Sequence, residues 1–245
     1  MKQSVFITVL LVAAFAISFV IFEYMLPDFI KEGGPLVIAL IALTIMVTTF
    51  IVERILSLRK AQGRTSLTLF LKKVQEEINR GNIKGAITAC DQQRGSMASV
   101  LRAGLERYRV VHDQGDVRGQ KEIMEEIQRS IEEAMMLEVP LLEKNLIALS
   151  TIASVSTMVG LLGTVIGMIR AFRALAHAGA PDAVQLSIGI SEALINTAGG
   201  LIGAILGIVA YNFFVNKVDG FTYMIDEASY SIVQSLVLRE SNVKK

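Results

Sequence analysis

Five stretches of the chain contain no Asp, Glu, Lys or Arg: residues 4–22, 35–52, 145–169, 183–191 and 193–216. The last two are parted only by Glu192 and read as one. Each of the four resulting stretches meets the roughly 17–25 apolar residues that carry a helix across bilayer hydrocarbon. The pattern predicts an all-α polytopic membrane protein with four transmembrane helices. The first span and an external loop occupy residues 1–34, the second span 35–52, the third 145–176 and the fourth 183–216. The first run, Ser4–Phe22, follows Lys2 as the apolar region of a secretory signal would. Glu23, Tyr24, Met25 and Leu26 offer no small-x-small cleavage site after it, so it is expected to be retained as a span.

Residues 53–144 hold 16 Lys or Arg and 14 Asp or Glu without a run near span length, which predicts a water-facing helical domain. Leu67, Leu69, Leu71, Val74 and Ile78 give a first helix that Gly81 stops, and a second ends near Gly95. Val100, Leu101, Leu105 and Tyr108 mark a third, and Ile123, Ile127 and Ile131 a fourth from about Val117. Pro140 is expected to kink that helix without ending it, the pattern passing directly into the third span. Residues 217–245 read as a cytoplasmic tail that forms the helical domain together with residues 53–144.

Composition agrees with a membrane chain: 52% hydrophobic, 19% charged and a mean hydropathy of +0.52. Ordinary soluble domains are about 25% charged. A net charge of +1 gives no basic footprint for nucleic acid. With both termini and residues 53–144 in the cytoplasm, every Lys and Arg except Lys31, Arg170 and Arg173 lies on that side. The positive-inside rule therefore selects this topology.

Candidate chemistry lies in the last two spans. Ser150, Ser154, Thr157 and Thr164 recur at helical steps, with Gly160 and Gly167 on the same side and Gly163–Gly167 forming a GxxxG. Small residues let helices approach closely in lipid, whereas aligned hydroxyls offer partners to water or to a passing proton. The fourth span repeats the design with Gln185, Gly189, Glu192, Asn196, Gly199, Gly203 and Gly207. A carboxyl within a span costs on the order of 2.5–3.5 kcal/mol on insertion scales, so Glu192 should face protein or water for a purpose. It either handles protons or pairs near the outer interface with Arg170 or Arg173. Cys90 reads as a packed hydrophobe, and His112 and His177 as surface residues. No nucleophile–base pair, metal-ligand cluster or phosphate loop supports an enzyme or a bound cofactor.

The segments GLLGTVIGM (Gly160–Met168), ISEALINTAGGL (Ile190–Leu201) and YNFFVNKVDGF (Tyr211–Phe221), with Asn82–Tyr108, resemble the ExbB/TolQ/MotA family of proton-channel subunits over roughly residues 35–235. The resemblance implies a homo-oligomeric ring, usually a pentamer, around two copies of a single-span ExbD/TolR-like partner. That partner's transmembrane aspartate takes up the proton, and protons are the transported ion. The resemblance places Thr164 opposite that aspartate, matches Thr197 and Glu192 to the second motif, and implies a TonB- or TolA-like protein as the driven component. Thr157 and Leu206 stand where many ExbB and TolQ sequences have proline, and Asn196 where they have a small apolar residue. A MotA-like stator, acting through cytoplasmic charges such as Arg102, Glu106 and Arg109, and a purely structural membrane scaffold are the alternatives.

Overall fold

A computed structural model describes residues 2–113, 120–176 and 182–243. Among them the regular elements are all α-helices: α1 (Lys2–Tyr24), α2 (Asp28–Lys31), α3 (Leu36–Gln62), α4 (Leu67–Asn79), α5 (Ile83–Gln93), α6 (Ser96–Asp113), α7 (Gln120–Glu143), α8 (Leu146–Ala176) and α9 (Ala183–Val243). The expected helix start at Val117 and His177 lie outside the described residues. The chain divides into two compact units, one of residues 1–53 and 145–214, the other of residues 54–144 and 215–245.

In the first unit, three stretches hold an apolar window long enough to cross a membrane, carried by α3, α8 and α9. The expected first span is also helical, but its apolar part with described side chains, Thr8–Tyr24, is shorter than the other three. Three spans are thus supported by length and composition, and the count of four is not. Val37, Leu40, Val47 and Phe50 of α3 are buried at steps of three and seven, and Leu149, Ile152 and Ala153 of α8 and Ala193 and Ala204 of α9 are also buried in this unit.

The second unit is a packed helical core. Phe70, Val74 and Ile78 bury one face of α4. Val100, Leu101, Leu105 and Tyr108 do so on α6, and Ile127 and Ile131 on α7. One reading from the sequence changes here. Leu69, expected in the α4 core, is 67% exposed because Phe70 supplies the buried position one residue later. The tail is the continuation of α9, which runs unbroken from Ala183 to Val243. It buries Val218, Phe221, Ile225, Ala228, Ile232 and Leu236 at helical spacing.

The junction before α8 also differs from expectation. Pro140 sits inside α7, and the helix ends only at Glu143. The break is made by Asn145, whose φ of 65° is a left-handed conformation that asparagine tolerates better than most side chains. Ending α7 strands its last carbonyls, and buried Arg54 donates to the Leu142 carbonyl at 3.1 Å. Arg54 is therefore a helix cap inside the protein.

Candidate functional site: the α8–α9 seam

Helices α8 and α9 pack antiparallel along a line of small residues. Gly160 meets Gly200, Gly167 meets Ala193 and Gly189, and Gly207 meets Ala153. A Cβ on Gly200 would lie 2.7 Å from both the Gly160 Cα and the Ser156 carbonyl oxygen, so the backbones touch where only hydrogen fits. Gly163 accommodates the side chain of Asn196, and Gly203 that of Ser156, whose hydroxyl donates to Ile152 at 2.8 Å. Gly160, Gly163, Gly167, Gly203 and Gly207 are packing glycines of this seam. Gly199 faces Leu40 of α3 instead.

The hydroxyl stripe resolves into two sets. Ser156, buried and absent from the predicted stripe, belongs to the seam. Ser154 is exposed, and Thr157, Thr164 and Thr197 are half-buried. Each donates to a carbonyl one turn back: Ser154 to Ser150 at 3.2 Å, Thr157 to Ala153 at 3.4 Å, Thr164 to Gly160 at 3.3 Å and Thr197 to Ala193 at 3.0 Å. Thr164 and Thr197, 33 residues apart in sequence, bring their hydroxyls into direct contact on the flank of the seam.

Glu192 is 3% exposed and lies in a polar knot at one end of the seam. Nη1 of Arg170 donates to both of its carboxylate oxygens, at 2.6 and 2.7 Å. Asn196 donates through Nδ2 to the Gly33 carbonyl at 2.8 Å and to the Glu192 carbonyl at 2.9 Å, while its buried Oδ1 has no partner among the described residues. Gly34 completes the knot. Its φ of +72° and the Glu192 oxygen 3.0 Å from where its Cβ would stand both require glycine. Of the two roles open to Glu192 in the sequence, the geometry displays the ion pair, with Arg170 as its partner. The second carboxylate here, Glu32, accepts from Ser191 at 3.0 Å. Sequence reasoning missed the part played by the Gly33–Gly34 corner, although a Gly-Gly-Pro turn entering a span is a readable signal.

In the second unit Arg102 pairs with Glu106 at 3.0 Å and Asp91 at 3.3 Å at the surface, and Arg109 is half-buried nearby on the same helix. Cys90 is buried, and burial pushes its thiol up to about 12. His112 stacks on Tyr108 with ring centroids 5.9 Å apart.

The sequence model of the MotA/TolQ/ExbB proton channel family matches residues 92–227, which include α6, α8, both motifs and the seam. The chain belongs to this family. Among curated relatives of this MotA/TolQ/ExbB chain, the Tol-Pal system protein TolQ of Pseudomonas aeruginosa is 38% identical over 115 residues, 47% of this chain and 49% of that protein. The biopolymer transport protein ExbB of Pseudomonas putida is 36% identical over 85 residues, 35% of this chain and 26% of that one. A putative ExbB homolog of Methanothermobacter thermautotrophicus is 28% identical over 193 residues, covering 78% of this chain and 63% of the relative. The chain thus spans about half or less of the length of the two bacterial relatives.

Proposed function

We propose that this chain is the ring-forming subunit of an inner-membrane proton channel of the ExbB–ExbD or TolQ–TolR kind. Five copies surround two copies of a single-span partner whose transmembrane aspartate carries the proton. Proton flow moves the partner, which works on a TonB- or TolA-like envelope protein. The observation that carries the reading is the contact between Thr164 and Thr197, which joins the two family motifs at one point on the flank of the seam. Among the described residues that point presents two hydroxyls in contact, as a wall serving another chain's aspartate would. The names of the relatives, TolQ and ExbB, support an envelope process over a motility stator. Each proton crossing the membrane supplies about 2.3 kcal/mol per 100 mV. No covalent chemistry is required of the chain. Glu192, held by Arg170, braces the wall.

Valine replaces the threonine hydroxyl by a methyl of similar shape. The expected result is that Thr164→Val and Thr197→Val leave the native mass of the complex unchanged and abolish proton uptake by vesicles containing it, read with a pH-sensitive dye. Wild-type uptake in Thr164→Val removes this residue from the pathway.

A further inference from the structure

The second unit holds a cavity of about 540 Å³ lined by the end of α3, the α5–α6 corner and the end of α7. Three cations, Lys60, Arg64 and Arg94, line it against one carboxylate, Glu138, and Leu141 and Leu142 form an apolar wall. All three cations are exposed, and among the described residues none of them is paired with a carboxylate.

Arg94 stands in a backbone conformation that side chains avoid. Its φ is 57° and ψ 176°, a region that glycine enters freely and other residues enter at a cost. The corner enforces this conformation. Buried Gln93 donates to the carbonyls of Gln62 at 3.1 Å and Thr65 at 2.8 Å, and accepts from the Thr65 backbone at 3.1 Å. The neighbouring positive-φ positions, Gly63 and Gly95, are glycine. An arginine kept where glycine would be relaxed points to a use for its side chain, and that side chain borders the cavity.

The depth of the site follows from α3. Lys60 lies 24 residues beyond Leu36 on one continuous helix, about 36 Å at 1.5 Å per residue. Hydrocarbon and headgroups together span about 40–45 Å, so a membrane-crossing α3 delivers Lys60 to a headgroup layer. Unpaired cations there, beside an apolar wall, suit a phosphodiester with an acyl chain attached.

We propose that this cavity binds the headgroup of an anionic phospholipid in the leaflet at the basic end of α3. The proposal rests on the membrane-spanning reading of α3 and not on proton conduction. The test uses the full chain with its co-extracted partners in nanodiscs of mixed phosphatidylglycerol and phosphatidylcholine, with native mass spectrometry counting the lipids retained. Wild type should keep phosphatidylglycerol preferentially, and Lys60→Gln, Arg64→Gln and Arg94→Gly should each lower its retention about fivefold. Arg94→Gly should do so with an unchanged or higher unfolding temperature, because it relieves the backbone. Lys72→Gln, which removes an exposed cation of α4 outside the cavity, should have no effect. Three results would each overturn the proposal: wild-type retention in Arg94→Gly, an equal loss in Lys72→Gln, or displacement of the lipid by millimolar inorganic phosphate, which would mark a site for a soluble anion. Loss of retention with normal proton uptake separates this proposal from the channel reading.

Discussion

Arg170 and Glu192 set the residue scale, because their ion pair is half in and half out of solvent. The Glu192 side chain is 4% exposed and that of Arg170 55%. Removing the exposed partner leaves a buried carboxylate with two empty acceptors, while removing the carboxylate leaves a cation that water can reach. Arg170→Met should therefore destabilise more than Glu192→Gln, by between the ~1 kcal/mol of an exposed pair and the ~3 kcal/mol of a buried one. The exchange variant Arg170→Glu/Glu192→Arg should recover only part of the loss, since it moves the longer side chain to the buried position. Thermal unfolding in detergent checks the order, and equal midpoints for the two single variants would show that the pair does not brace the seam. Cys90 gives a second prediction at this scale. With its thiol raised from 9.0 to about 12, the reactive thiolate at neutral pH falls roughly a thousandfold. A maleimide should leave folded protein unlabelled and label it in denaturant; rapid labelling of the native chain would contradict the burial.

Among elements, α8 and α9 show how far sequence periodicity can be trusted. The glycines and hydroxyls of both helices repeat at steps of three and four, and Gly160, Gly163, Gly167, Gly203 and Gly207 lie against the neighbouring helix. Assigning glycines and hydroxyls to one shared stripe fails. Consecutive positions on a 3.6-residue helix point about 100° apart, and nothing in the chain says which of Gly199 and Gly200 meets α8. Ser156 illustrates the same limit, since it lies two residues from Ser154 and yet is buried while Ser154 is exposed. The α7–α8 break was illegible because Asn145 acts through its backbone angle, whereas Pro140, the visible breaker, is absorbed within α7. Arg54 could not be recognised as a cap without knowing where α7 ends. A packing test separates the glycines. Gly200→Val forces a side chain into the Gly160 backbone and should cost about 3 kcal/mol or more. Gly199→Ala meets only the movable end of Leu40 at 3.2 Å and should cost little. Gly220→Ala, with nothing within 4 Å of the added carbon in mid-helix, should stabilise by about 0.5–1 kcal/mol. Denaturant unfolding of the three variants checks the ranking, and a tolerated Gly200→Val would mean that the helices do not meet as described.

At the scale of the whole molecule, the sequence conveyed fold class and family more completely than it conveyed the site. Apolar runs and charge distribution suffice for a helical membrane chain because water and lipid sort residues by transfer energy alone, whatever the packing. The long α9 was hidden because its first half answers to lipid and its second to a water-soluble core, so no single periodicity runs through it. The motifs around Thr164 and Thr197 were legible as a resemblance, but their contact depends on the register of two helices and appears only in three dimensions. Among the described residues the wall at Thr164 and Thr197 presents hydroxyls, and the proposed function stands on another chain supplying the acid that takes the proton.

The native mass of the complex, purified through a tag on this chain from its own host with its partners untagged, tests that dependence most directly. The account predicts five copies of the 26.7 kDa chain together with two copies of a small protein whose sequence shows one span and an aspartate within it. A homo-oligomer that retains no such protein would leave the seam as a packing device, remove the proton acceptor and contradict the account.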